Sequence, residues 1–540
     1  MISPKAISKF LNRKLDNYDW VKKYKNKELR KEIKGLKPSP EFGSIKLWHH
    51  QKACFLLMIY LQRFLLFLDM GTGKTLLCLS VIKYRKQMGE NPCAIVFVPY
   101  ITAVHTWIEE VEKHTPELIC VPLLYDSKVN KDLFIKGDAD LYIMCYQSAV
   151  AMVKKKVPIP NSNKTKWIIN PSTIREIFNH IDMMILDECH KVKNHSSLTF
   201  RMCRAITHEI DWAYGLTGTP FSRDLTDLWS QFYIVDLGQT LGNTLGIYRE
   251  AFFEKKWGYW GGVEYKFKKK YFDQLHSIVK NRSIRYDINE CHDMPPRIYI
   301  TKKIQLTNDM INYGKIIIEK MIKLMKENKD NKNYSAIQNY FIFLSQISSG
   351  FLTLKPELEN KKNRVFIEFD ENPKLELLMD LIDEMPKDSK MIIFHNWVYS
   401  NKMISKKLTE NKINHARIWG GQKDQLNELR KFKKNKTCRV LIINSQSGSS
   451  SLNLQHANYV AFFEQPRSAI ERSQAERRAW RPGQEKKVFF FDLVMKNTFD
   501  QKQNAYNKQG RDLLKNLLDG KEKFGNLFKL KNVKKRRKLK

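Results

Sequence analysis

The sequence has no paired cysteines. Its nine cysteines are scattered over 540 residues without a CxxC spacing, so neither a zinc site nor a disulfide framework is expected. It has no long apolar run either. Nothing approaches the ~20 apolar residues of a membrane-spanning helix. The nearest candidate, Ala53 to Met70, is broken by Gln62-Arg63 and reads as a core helix followed by a strand. The opening residues MISPKAISKFLNRK lack the apolar centre of a secretory signal. A soluble chain in the cytoplasm (the host cytoplasm for a viral protein) is expected, with the nucleus as the alternative if the basic run KKRRK near residue 538 acts as an import signal. His49, His50 and His190 do not have the spacing of metal ligands, and there is no short-period repeat. Acid is scarce: Asp and Glu total 57 against 94 Lys and Arg, a formal net charge of +37. Such an excess adds nothing to a core, because its charges repel, but it attracts polyanions. Nucleic acid is the expected partner. A Lys- and Asn-rich codon bias is the rival explanation, and it leaves the shortage of acids unexplained.

What is present is ample core material, 42% hydrophobic and 12% aromatic. At about 150 residues per domain, three or four structural units are expected. Residues 1–43 are basic with little apolar periodicity and read as an extension. From 44 to 236 short apolar runs alternate with amphipathic stretches, the clearest being AIVFVP (94–99), LYIMCY (141–146) and MMIL (183–186). Continuous apolar strands separated by helices predict a parallel sheet covered on both faces. Residues 237–369 are richer in Lys, Tyr and helical pattern and read as a helical insertion. The α/β rhythm returns over 370–500 with MIIFHN, RVLIIN, YVAFFE and VFFFDLV. A helix and a basic tail are expected over 501–540. The fold class is α/β.

The chemistry begins at Leu68-Asp69-Met70-Gly71-Thr72-Gly73-Lys74-Thr75, between the apolar run FLLF and the helical run LLCLSVIKY. Strand, glycine-rich loop and helix in that order form a phosphate cradle. Gly71, Thr72 and Gly73 let backbone N–H groups close on phosphates, and the helix dipole adds to the attraction. Lys74 would reach the β- and γ-phosphates, and the Thr75 hydroxyl would ligate Mg²⁺. The usual first glycine is replaced by Leu68. Downstream, DECHKVKN (187–194) ends the apolar run at 183–186. Two carboxylates at a buried strand end need a counter-charge, and ligands of open α/β sheets sit at that edge. Asp187 would hold Mg²⁺, and Glu188 would act on the attacking water as general base.

These motifs, with LTGTP (216–220) and DLWSQF (227–232), resemble the SNF2-type branch of the superfamily 2 helicase-like ATPases. LWHHQ (47–51) is similar to that family's adenine-side motif, which places Gln51 near the base. VPYITAVHTWIEEV (98–111) is similar to its motif Ia, where the first lobe touches a DNA strand. In the second lobe ARIWGG (416–421), SQSGSSSLNLQHA (445–457) and QAERRAWRPGQ (474–484) follow in order. The resemblance covers roughly 45–500 and implies two RecA-like lobes, ATP bound between them, and Gly448 and Gln474 in the nucleotide site. His190 is expected to couple the ATP site to LTGTP. Arginines three apart share a helix face, so Arg478 and Arg481 are expected to project together as arginine fingers. Gly448 is followed by three serines where the family has glycines. The longer spacing from Pro466 to Gln474 points to a bacterial or viral branch.

The expected function is an ATP-dependent motor translocating on double-stranded DNA, with ATP and Mg²⁺ as cofactors. A strand-separating helicase on branched DNA or RNA is the alternative. A non-catalytic DNA-binding scaffold would be expected to lose Lys74, Glu188 or the arginines, and all are present. The aromatic and Lys mixture over 255–272 reads either as a base-stacking surface or as a packed helical insertion.

Overall fold

The computed structural model describes residues 4–11, 18–43, 45–124, 127–162, 164–218, 225–257, 263–327, 334–354, 365–419, 422, 424–445 and 452–509. The chain divides into two units, the first essentially residues up to Asp293 and the second from Met294 onward.

The strands of the first unit are β1 (Arg63–Leu68), β2 (Ala94–Val98), β3 (Cys120–Leu123), β4 (Leu141–Cys145), β5 (Lys154–Pro158), β6 (Thr165–Ile169), β7 (Met183–Asp187), β8 (Trp212–Leu216), β9 (Phe253–Trp257), β10 (Val263–Phe267) and β11 (Ser283–Tyr286). Seven of them form one all-parallel sheet in the order β11-β1-β8-β7-β2-β4-β3. Successive side chains of a strand point to opposite faces, and the cores record it. Leu65, Phe67, Ile95, Phe97 and Leu186 pack on one side. Phe64, Leu66, Leu68, Val96, Val98 and Ile185 pack on the other. Both faces are therefore covered, which is why these strands read as unbroken apolar runs.

The second unit holds β12 (Arg297–Ile304), β13 (Phe351–Leu354), β14 (Val365–Glu368), β15 (Met391–His395), β16 (His415–Ile418), β17 (Val440–Asn444), β18 (Tyr459–Phe462) and β19 (Val488–Met495). Its parallel sheet runs β12-β19-β18-β15-β17-β16. The fold is α/β with two parallel sheets, one in each unit, as expected.

The structure adds detail to the expected organisation. Residues 237–369 hold the long helices Asn308–Glu327 and Tyr334–Ser349 and also strands: β11 completes the first sheet and β12 opens the second. Their Ser, Arg and Lys content hides them: both are edge strands, β12 largely half-covered and β11 buried except at Arg285. The segment FEKKWGYWGGVEYKF contributes a β9–β10 hairpin rather than helix. Residues 1–43, read as a basic extension, carry helices that pack on the first unit. Helices Asp19–Lys23 and Asn26–Gly35 send Val21, Leu29 and Ile33 into the first unit's core. Few apolar residues suffice when each is buried. At the other end, helix Phe499–Lys508 packs on the second unit through Gln503 and Asn507, which donate to Pro466 O at 3.3 and 2.8 Å. The basic run beyond it lies outside the described residues. Among the described residues no helix is long and apolar enough to cross a membrane, and no cluster of three or more His, Cys, Asp or Glu side chains could hold a metal.

Candidate nucleotide site

The loop after β1 is shaped by two glycines. Gly71 has φ +84° and Gly73 φ +85°, a region costly for any residue with a Cβ. Gly73 caps helix Lys74–Gln87, whose first N–H groups face the loop. Thr72 is fully buried, and its hydroxyl donates to Asp69 O at 2.8 Å. Lys74 Nζ donates to Leu68 O at 2.8 Å. Thr75 is the helix's second residue and is half-buried.

The segment LWHHQ braces this loop. His50 Nε2 lies 2.9 Å from Thr72 O, and Gln51 Nε2 donates to the same oxygen at 3.1 Å. A carbonyl only accepts, so the His50 proton must sit on Nε2. Burial pulls the His50 pKa down, with its bond to Thr72 opposing, which favours the neutral ring. The other end of the Gln51 amide accepts from Trp48 N at 2.9 Å, satisfying a backbone donor at the start of helix His49–Leu61. Gln51, expected beside the adenine, thus engages both ends of its amide within the protein. A Cβ added at Gly73 would press into that amide.

The strand end at 187–188 lies in the same unit. β7 pairs with β8, bringing Asp187 beside Leu216. Asp187 accepts from the indole N–H of Trp107 at 3.1 Å, and its carbonyl accepts from Tyr146 OH at 3.0 Å. Burial, and then the charge of Glu188, raise the Asp187 pKa. Glu188 sits at φ +51°, left-handed for a residue with a side chain. Burial opposes its charge, yet His190, Lys74 and Thr217 hold it ionised and keep its pKa low. His190 Nδ1 lies 3.2 Å from Glu188 Oε2 and 3.4 Å from Thr217 Oγ1, and Thr217 donates to Glu188 Oε2 at 3.2 Å. The expected link from His190 to LTGTP is this triangle. Gly218 is close-packed on the loop, its Cβ position 3.3 Å from Leu68 O. Thr219 and Pro220 lie outside the described residues.

Sequence reasoning missed four contributors: His50, Trp107, Thr217 as a ligand of Glu188, and Asp69. The last is buried and accepts from Ile288 N at 3.0 Å, tying the loop to the segment after β11. All four lie inside quoted motifs, His50 in LWHHQ, Trp107 in VPYITAVHTWIEEV, Asp69 in the loop at 68–75 and Thr217 in LTGTP, but none was singled out.

In the second unit, helix Ala469–Ala479 carries Gln474 and Arg478, both buried. Arg472 binds Glu476 at 2.6 Å and also Asp492 of β19. Tyr299 OH of β12 donates to Glu476 at 2.8 Å. The expectation that Arg478 and Arg481 share a helix face fails, because the helix ends at Ala479 and Arg481 lies in the turn beyond. Pro482 disfavours helical backbone at the residue before it. Gln484 holds that turn, its amide donating to Gln455 O and Ala457 O at 2.9 Å each. Gly448 lies outside the described residues.

Comparison with known proteins agrees with this layout. The SNF2-related domain matches residues 50–350, and the helicase conserved C-terminal domain matches 373–483. An ISWI chromatin-remodeling complex ATPase of Arabidopsis thaliana, CHR17, is 22% identical over 468 residues, covering 83% of this chain and 40% of that protein. An uncharacterized ATP-dependent helicase of Mycoplasma genitalium, MG018, is 22% identical over 454 residues, covering 83% and 40%. The chain thus spans 40% of the length of each of these curated relatives. A solved structure of the Sulfolobus solfataricus SWI2/SNF2 ATPase core in complex with dsDNA aligns at 20% identity over 91% of this chain and 99% of that one, with a TM-score of 0.38. With more than half of its 540 residues matched by one family description, the chain belongs to the SNF2-related family.

Proposed function

We propose that the chain hydrolyses ATP and uses the cycle to move along double-stranded DNA. The observation that carries the reading is the first unit's cluster, in which a glycine-shaped loop with Lys74 shares one sheet with an ionised Glu188 held by His190 and Thr217. The relatives' names, chromatin-remodeling ATPase and ATP-dependent helicase, support it.

On this reading the loop N–H groups and Lys74 bind the phosphates, with Lys74 exchanging its bond to Leu68 O for a phosphate oxygen. Glu188 accepts a hydrogen bond from the attacking water and orients it. Asp187 and Thr75 supply oxygen ligands suited to Mg²⁺, which takes one or two protein oxygens and completes its shell with phosphates and water. The buried Asp187 carboxylate, whose affinity for a proton is raised, is suited to such a cation. When bound, the ion neutralises charge developing on the phosphoryl group. Gln51, Gly448 and Gln474 are assigned to nucleotide binding, and Arg478 and Arg481 to stabilising the transferring phosphoryl group. A strand-separating helicase is the second reading, favoured by the helicase C-terminal match over 373–483. The test is the ATPase rate without nucleic acid and with single strands, duplex DNA and RNA. The first reading expects the greatest stimulation by duplex DNA. Stimulation by single strands or RNA alone would overturn it.

A further inference from the structure

The first unit carries a basic hairpin that the motor motifs do not use. Strands β5 and β6 pair antiparallel between helices Tyr146–Val153 and Pro171–Phe178, with Lys156 opposite Trp167 and Lys154 opposite Ile169. Opposed residues of a ladder share a face, so Lys154, Lys156 and Trp167 project together, and Lys154 Nζ sits 4.7 Å from the indole centroid. Lys155 and Lys166 project from the other face.

The charge is unbalanced. Residues 154–169 hold Lys154, Lys155, Lys156, Lys164 and Lys166 and no Asp or Glu. All five lysines are exposed, and Trp167 is 46% exposed. Among the described residues none of the five forms an ion pair. Hairpin β9–β10 makes the contrast. There Lys255 pairs with Glu250 at 2.8 Å and Lys256 with Glu254 at 4.0 Å. Like charges on so short a hairpin repel, and a mobile polyanion is the natural counter-charge. Helix Leu198–Thr207, against which β6 packs, adds exposed Arg201 and Arg204. The hairpin exposes one indole rather than an apolar face, which disfavours insertion into a membrane interface. A point charge beside an aromatic face is the usual means of gripping nucleic acid without reading its sequence.

We propose that hairpin β5–β6 is an additional DNA-contact surface, holding the phosphodiester backbone through Lys154 and Lys156 with Trp167 as a platform. Its flanking helices send Ala149 and Ile174 into the core on one face of the sheet. The inference rests on the reading that the chain's polyanion is DNA.

The test uses the full chain and a short labelled duplex, titrated between about 50 and 200 mM salt. Each phosphate contact contributes about 0.9 to the slope of log K against log salt. A variant with Lys154→Gln and Lys156→Gln should flatten that slope by about 2 units. Its ATPase rate without DNA and its melting temperature should match wild type. Lys→Arg at the same positions should restore the slope. An unchanged slope in the Gln variant, while wild type binds duplex, would overturn this surface and leave the functional reading intact. So would loss of binding to phosphatidylserine vesicles with the DNA slope unchanged. If wild type binds no duplex, the functional reading falls and this inference falls with it.

Discussion

Glu188 occupies left-handed backbone at φ +51°, a conformation that costs a side-chain-bearing residue about 1–3 kcal/mol and persists only where its surroundings enforce it. The enforcement is visible: His190 and Thr217 both bind its Oε2. The carboxylate is thus aimed and held ionised before any substrate arrives. Glu188→Gln keeps the size but loses the charge, and is expected to retain ATP while slowing hydrolysis at least ~100-fold, the lower range for a lost general base. Near-normal turnover in a single-turnover assay would remove Glu188 from that role. Trp107 acts on the neighbouring carboxylate, donating to Asp187 at 3.1 Å. Trp107→Phe removes that bond and little volume. A hydrogen bond to a charged group is worth about 1.5 kcal/mol, or roughly tenfold, so the Mg²⁺ needed for half-maximal ATPase should shift by about that factor. No shift in a Mg²⁺ titration would reduce Trp107 to core packing. The motifs that carry Lys74, Asp187 and Glu188 stood out in the sequence because their residues are adjacent, at a strand's end. The roles of Trp107, His50 and Asp69 did not, because they arise across separations of 80, 22 and 219 residues, which only the sheet order brings together.

At the scale of elements, legibility followed burial. Strands covered on both faces, such as β2 with all five residues buried, announced themselves as apolar runs. The edge strand β12 and hairpin strand β5 did not, since a half-exposed strand tolerates Lys and Arg, and β11 is short, with Ser283 and Arg285 breaking its apolar pattern. Helix ends were harder still. The i,i+3 argument for Arg478 and Arg481 assumed a helix through residue 481, but Pro482 ends it early. What survives is a shorter helix locked to two strands by Arg472, Glu476, Asp492 and Tyr299. Breaking a buried ion pair by removing one partner costs about 3–5 kcal/mol. Arg472 keeps Glu476 in Asp492→Asn, so the lower end is expected in a denaturant melt. An unchanged midpoint would show that Glu476 alone suffices. The turn beyond the helix, braced by Gln484, carries Arg481. Arg481→Ala should leave ATP affinity within a few-fold and cut turnover by about 10³, the effect attributed to arginine fingers. A rate within tenfold of wild type would exclude that role.

For the whole molecule the deciding quantity is charge. A net +37 predicts phosphate contacts, and phosphate contacts position a protein on nucleic acid without specifying a sequence. Binding should therefore weaken steeply between about 50 and 200 mM salt, and scrambling the duplex sequence should change the ATPase rate little. Charge alone does not separate a duplex motor from a strand-separating helicase, because both follow a phosphate backbone. The relatives' names do not separate them either, since both chromatin-remodeling ATPases and helicases are among them. Movement separates them. A motor tracking intact duplex must collide with a third strand wound in the major groove and strip it off, with no need for a fork or a free end. A helicase that opens strands must first load on single-stranded nucleic acid. Displacement of a labelled third strand from a blunt duplex, dependent on ATP and lost in Glu188→Gln, is the expected outcome. Unwinding of forked substrates without triplex displacement would leave the helicase reading in place of the translocase.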